Sequence, residues 1–335
     1  MLRPAPYETT LKPYGTALVE LARQRDDIVC LGGDLTRQTE TDLFRDEIPD
    51  RFFNAGMAEA NLIGMAAGLA RSGLKPFVNT FGVFVTRRPY DQVAMSVAYP
   101  NLPVRLVGFM PGLSSPGGPS HQAIDDVALM RALPNMTVID VADAGEVSAV
   151  VEQIVDLDGP VYLRLKRGET PVIFDESYTL NLKRATVVKP GGDVVVVASG
   201  MMLAPAVKAT EVAADAGVDV GLVYAPVIKP LDAATILDAV AGSKGVITAE
   251  NHSVIGGLGS AVAEAMAEAG LGVKLRRVGV QDVFATAGSR PYLFKEFGLS
   301  ARALVEAIWE LAQAKMPLPV FAEVSEERPG VHEPV

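Results

Sequence analysis

The sequence predicts an α/β protein built from two parallel-sheet domains, and three observations carry that expectation. Short runs rich in Val, Ile and Leu alternate along the chain with longer segments of helical period. Such near-continuous apolar runs suit strands covered on both faces, as in a parallel sheet flanked by helices. The length of 335 residues and the 49% apolar share provide for roughly two cores. Between residues 168 and 192, in GETPVIFDESYTLNLKRATVVKPGG, the helical period lapses and turn residues accumulate. A boundary at residue 185 then separates domains 1–185 and 186–314. From 315 the proline- and glutamate-rich KMPLPVFAEVSEERPGVHEPV reads as an extended tail.

In chain order, the expected strands of the first half are DIVCLGG (27–33), KPFVNTF (75–81), VRLVGF (104–109), MTVIDV (136–141) and VYLRL (161–165). Those of the second half are DVVVVASG (193–200), DVGLVYA (219–225), GVITAE (245–250) and KLRRVGV (274–280). Between the first two strands, GMAEANLIGMAAGLA (56–70) reads as a buried helix. Its glycines and alanines allow another backbone or a ligand to approach closely, which suits a subunit interface. Glu59 is the only acid in that stretch. Taking an ionised carboxylate out of water costs several kcal/mol, so a buried Glu59 needs a partner, a proton or a function. The alternative is a Glu59 on the solvent edge of the helix beside Asn61, with no role.

Composition excludes several classes. A formal charge of −10 argues against a sequence-independent nucleic-acid binder, which needs a clustered cationic surface. The single cysteine, Cys30, sits in an apolar run and reads as a buried structural thiol; no disulfide framework or thiolate metal site can be built on it. The start, MLRPAPYETT, lacks the pattern of a signal peptide, and no apolar run reaches the ~18 residues of a membrane span. A soluble, cytoplasmic protein acting on small molecules is the expectation.

The stretch FFNAGMAEANLIGMAAGLARSGLKPFVNTFGVFVTRRPYDQV (52–93), followed by GGPSHQAIDD (117–126), resembles the pyrimidine-binding domain of transketolase. Residues 1–180 are similar to that domain and 193–312 to the C-terminal domain of transketolase. Full-length members hold thiamine diphosphate through a further domain bearing a GDG motif and a later asparagine. This sequence has GGD at 32–34 and 191–193 but no GDG. The resemblance therefore implies the C-terminal subunit of a split enzyme. A partner N-terminal subunit would hold the diphosphate and its Mg²⁺ or Ca²⁺, in an α2β2 assembly where this chain also self-associates.

The resemblance also implies roles for residues. Glu59 would hydrogen-bond the cofactor's pyrimidine ring and sustain the proton exchange that activates its thiazolium carbon. Phe81 and Phe84 would set aromatic faces against the aminopyrimidine, although two phenylalanines three apart are otherwise ordinary core. Met57 would add an apolar contact. Asp34, in GGDLT, would lie near the cofactor, or equally would cap a helix after a strand. His121 of the GPSHQ motif would contact the substrate's hydroxyls or carbonyl oxygen. His252 reads as structural or interfacial, and His332 falls in the tail.

Departures from the family concern the sugar. Transketolases show GEDGPxHQ where this chain has SPGGPSHQ, so Pro116 replaces a glutamate and Gly117 the aspartate that reads a donor hydroxyl. Leu11, Gln38 and Phe109 stand where phosphate ligands are expected, leaving Arg167 in place, with Arg37, Arg87 or Arg88 as possible substitutes. These changes imply transfer of a two-carbon ketol unit with an atypical ketose: branched, deoxy, sulfonated or unusually phosphorylated. Competing expectations are a 2-oxo acid dehydrogenase β subunit, a deoxyxylulose-phosphate synthase-like enzyme and a non-catalytic regulatory subunit.

Overall fold

A computed structural model describes residues 1–323. His332 and the end of the expected tail lie outside the described residues.

Two sheets organise the chain. The larger has seven strands in the order Val227–Lys229, Thr137–Asp140, Val161–Leu165, Arg105–Phe109, Lys75–Phe81, Ile28–Gly32 and Phe52–Asn54. All its pairings are parallel except that of Val227–Lys229. The second has five, in the order Lys274–Val280, Gly245–Ser253, Val194–Ala198, Val220–Tyr224 and Thr186–Lys189, the last antiparallel. Ile28–Gly32, Arg105–Phe109, Val161–Leu165 and Val194–Ala198 are buried at every residue, because helices cover both faces.

Every strand expected from an apolar run is present. The antiparallel edge strands Thr186–Lys189 and Val227–Lys229 and the parallel edge strand Phe52–Asn54 were not expected. They are three or four residues long and mostly half-buried, so no continuous apolar run marks them. Val227–Lys229 comes from the second half of the chain yet completes the first sheet, so the sheets interlock across residue 185.

Side-chain oxygens fix several joints. Asp143 accepts from the N–H groups of Gly145 and Glu146 at the start of helix Ala144–Ile154, and also from those of Ile173 and Phe174. One carboxylate thus caps a helix and pins the connector between the halves. Ser300 caps the final helix, Ala301–Ala312, whose buried Leu304, Val305, Ile308 and Trp309 join the core of the second sheet. Residues 315–323 form no helix or strand, but Trp309 Nε1 donates to the Met316 carbonyl, and Glu323 accepts from the N–H groups of Ala301 and Arg302.

Candidate active site

Strand order alone marks a site. After Ile28–Gly32 the chain runs outward to the edge strand Phe52–Asn54, then returns to the opposite side of Ile28–Gly32 as Lys75–Phe81. Ligands of open α/β sheets bind outside the carboxyl ends of strands at such a reversal. The segments leaving those ends carry Asp34, Glu59, Phe81, Phe84 and, from the next strand, the loop with His121.

Four of the expected residues converge there. Glu59 is the first residue of helix Glu59–Arg71 and is 5% exposed. It is buried rather than an edge residue, and Arg88 Nη1 lies 2.6 Å from its Oε1, supplying the counter-charge a buried carboxylate requires. Phe81 ends its strand and Phe84 lies on the following short helix, Gly82–Thr86. Their rings stack with centroids 5.9 Å apart and planes 18° from parallel. The His121 ring stands edge-on to Phe84 at 5.2 Å and to Phe81 at 6.5 Å. The Arg88 guanidinium lies 4.0 Å from the centroid of Phe84. A carboxylate, a pair of flat apolar faces and an imidazole are therefore linked contact by contact.

The loop holding His121 is shaped from both sides. Gly118 has φ +73°, a conformation that favours glycine. A Cβ on Gly117 would lie 3.0 Å from His121 Cβ and Cγ, so the missing side chain makes room for the imidazole. Ser120 Oγ is 2.9 Å from His121 Nδ1. Gly288 N–H donates to the Pro116 carbonyl, and Gln122 Nε2 donates to the carbonyls of Ser115 and Thr286. Residues 286–288 of the second half thus brace the loop.

Other expectations fare differently. Asp34 is exposed in a turn and caps no helix, since the next helix begins at Thr41. Met57 is 69% exposed. Phe109, at the position where a phosphate ligand was expected, is wholly buried and meets Tyr14 of helix Pro13–Gln24 edge-on at 5.5 Å within the core of the first sheet. Leu11 is 66% exposed, Gln38 is half-buried in the turn before Thr41, and Arg167 is half-buried after Val161–Leu165. Of the substitute arginines, Arg37 is exposed and Arg88 pairs with Glu59. Arg87 grips Asp125 through Nε and Nη2 and also donates to the Gln122 carbonyl, which makes it a brace for the His121 loop.

Sequence reasoning named Arg88 only as a substitute phosphate ligand and not as the partner of Glu59, and it passed over a buried network behind the site. Arg164 donates to both Asp126 oxygens, to Asp140 and to the Asn251 carbonyl, while Tyr162 Oη donates to Asp126. His252, expected to be structural, is fully buried with Nδ1 2.7 Å from the Ser253 carbonyl and Nε2 accepting from Ala128 N–H. Burial lowers its pKa and favours the neutral ring. The one available signal for Arg88 was its spacing of four from Phe84, which sets a guanidinium over a ring on one helical turn.

Among the described residues no group of three or more His, Cys, Asp or Glu is arranged to hold a metal ion, and no helix is long and apolar enough to cross a membrane.

Residues 8–172 match the family model of the transketolase pyrimidine binding domain, and residues 183–304 that of the transketolase C-terminal domain. The chain is 41% identical to the 6-deoxy-6-sulfo-D-fructose transketolase subunit SqwH of a Clostridium species, over 90% of this chain and 94% of that one. It is 39% identical to a transketolase C-terminal section of Methanocaldococcus jannaschii, over 91% of this chain and 96% of that one. A solved split gene transketolase, an inactive β4 tetramer, superposes with a TM-score of 0.83 at 41% identity, covering 91% of this chain and 98% of that chain.

Proposed function

The chain belongs to the transketolase family, and from that premise we propose that it is the C-terminal subunit of a split transketolase. It transfers a two-carbon ketol unit between a ketose and an aldose through thiamine diphosphate shared with an N-terminal partner. The observation that carries this reading is the convergence of Glu59, Phe81, Phe84 and His121 at the reversal of strand order.

The residues fit the aminopyrimidine end of that cofactor. Phe81 and Phe84 offer a stacked pair of faces, Glu59 offers a buried carboxylate, and no atom lies within 4 Å of where a Cβ on Gly56 would stand. The buried hydroxyl of Thr80, next to Phe81, has no hydrogen-bond partner and is available to a polar ligand. Thiamine diphosphate supplies a nucleophilic carbon that carries the two-carbon unit. Phe81 and Phe84 orient the ring and exclude water, and Glu59 holds or releases a proton at Oε1. Ser120 Oγ, 2.9 Å from Nδ1, orients the His121 ring so that its other nitrogen, Nε2, is left to meet the sugar's oxygen and stabilise charge developing there.

The partner requirement is supported by the 41% identical split-gene chain, whose β4 tetramer is inactive. We also propose a C6-sulfonated ketose as the donor. Gly117 provides no acceptor for the hydroxyl that the family's aspartate reads, and the 41% identical Clostridium subunit acts on a 6-sulfo ketose. The test is reconstitution with the N-terminal subunit and measurement of kcat/KM on 6-deoxy-6-sulfofructose and xylulose 5-phosphate. The sulfonated ketose is expected to be preferred, with Glu59→Gln losing about a hundredfold or more on either. Ordinary efficiency on xylulose 5-phosphate overturns the substrate assignment, and full activity of Glu59→Gln overturns the catalytic one.

A further inference from the structure

Arg88 makes two contacts that the reading above reserves for the cofactor. Its guanidinium lies 4.0 Å over Phe84, and its Nη1 is 2.6 Å from Glu59 Oε1. A planar group with N–H donors on an aromatic face and against a carboxylate reproduces what an aminopyrimidine presents. The ring and the guanidinium cannot share the same face of Phe84 and the same carboxylate oxygen.

The two partners are unequally buried. Glu59 is 5% exposed, whereas the Arg88 side chain is 43% exposed. Arg88 follows helix Gly82–Thr86 in a turn whose neighbour, Arg87, is fixed by Asp125. Its side chain can therefore rotate into water while its backbone stays in place, at little desolvation cost. Glu59 has no such exit. It needs a replacement donor when Arg88 leaves, and the ring supplies one.

We propose that Arg88 is a displaceable stopper of the aminopyrimidine subsite. In the chain without cofactor it covers Phe84 and neutralises Glu59; binding of thiamine diphosphate requires it to swing outward. The inference rests on the functional reading above, and it makes Arg88 a competitor of the cofactor rather than a ligand for it. A site open for only a fraction of the time binds with its affinity reduced by that fraction.

The experiment titrates thiamine diphosphate with Mg²⁺ into the reconstituted complex by calorimetry, for wild type, Arg88→Ala and Arg88→Lys. Arg88→Ala is expected to bind about tenfold more tightly, as removal of a stopper that leaves about a tenth of sites open would give. The same variant is expected to lower the melting temperature of the cofactor-free chain, because Glu59 has lost its counter-charge. Arg88→Lys, which keeps charge without the planar fork, is expected to fall between the two. Equal or weaker binding by Arg88→Ala overturns the stopper; should that variant fail to fold, equal or weaker binding by Arg88→Lys does so. Absence of binding by the wild-type complex removes the functional reading and the stopper together, whereas normal wild-type binding with an unchanged variant removes the stopper alone.

Discussion

Gly117 is the residue at which the site is tightest. A Cβ there would stand 3.0 Å from His121 Cβ and Cγ and 3.3 Å from Nδ1, closer than ordinary van der Waals contact. An aspartate, the family's residue, would bring its carboxylate against the imidazole and compete with Ser120 for Nδ1. Gly117→Asp is therefore expected to lose about a hundredfold in kcat on every ketose, the cost of misplacing a reacting group by about 1 Å. Kinetics on sulfonated and phosphorylated ketoses check this; gained selectivity for xylulose 5-phosphate without loss of turnover would refute it. At this scale the sequence was legible where chemistry and burial coincide. Glu59 stood out as an acid among small apolar residues, and Phe81, Phe84 and His121 through their motifs. That Phe109 is covered by Tyr14 was not legible, because an aligned position says nothing of which neighbours a side chain meets. Arg88 was named for a phosphate rather than for Glu59, because nothing in TRRPYD shows that a carboxylate 29 residues earlier lies opposite it.

At the level of elements, inner strands were legible from unbroken apolar runs, and edge strands were not because three residues are too short to form such a run, even where two of them are buried as in Val227–Lys229. Turns hide more. Glu40 ends the turn before helix Thr41–Glu47 with φ +59°, is 3% exposed, and accepts from Gly15 N–H on helix Pro13–Gln24 at 2.9 Å. Its Oε1 has no partner. Burial pushes its pKa up to about 7 from the ordinary 4.5, against the pull of Gly15 N–H and Lys12. The unfolded chain loses this proton near pH 4.5 and the folded chain only near 7, so the folded state binds more protons in between. Stability therefore falls as pH rises from 4.5 to 7 and levels off above. Glu40→Gln removes that slope. Its melting temperature relative to wild type is expected to climb across this window, with roughly 3 kcal/mol as the ceiling for a shift of this size. A difference between the two proteins that does not change with pH would refute the assignment.

For the whole molecule, the two sheets are joined by charge as well as by the borrowed strand Val227–Lys229. Arg164 of the first sheet holds Asp126 and Asp140 and donates to the Asn251 carbonyl of the second; Ser199 of the second half donates to Asp140. Arg164, Asp126 and Asp140 are all at most 2% exposed. Asp126 adjoins Asp125, the partner of Arg87, so the network also backs the loop that carries His121. None of this was legible beforehand, because Arg164 lies within VYLRL, where the run announces a strand and not which charges lie opposite. Removing one member of a buried network leaves the others uncompensated, which costs about 3 to 5 kcal/mol, whereas replacing the whole set with neutral groups costs far less. Arg164→Met is therefore expected to lower stability by about that amount, and the triple variant Arg164→Met, Asp126→Asn, Asp140→Asn to recover most of it. Because the lost contacts span the halves, calorimetry of the single variant is expected to resolve two transitions where wild type gives one. A single variant within about 1 kcal/mol of wild type would mean that water or rearranged side chains satisfy the two aspartates, and that the halves are held by apolar contact and the shared strand alone.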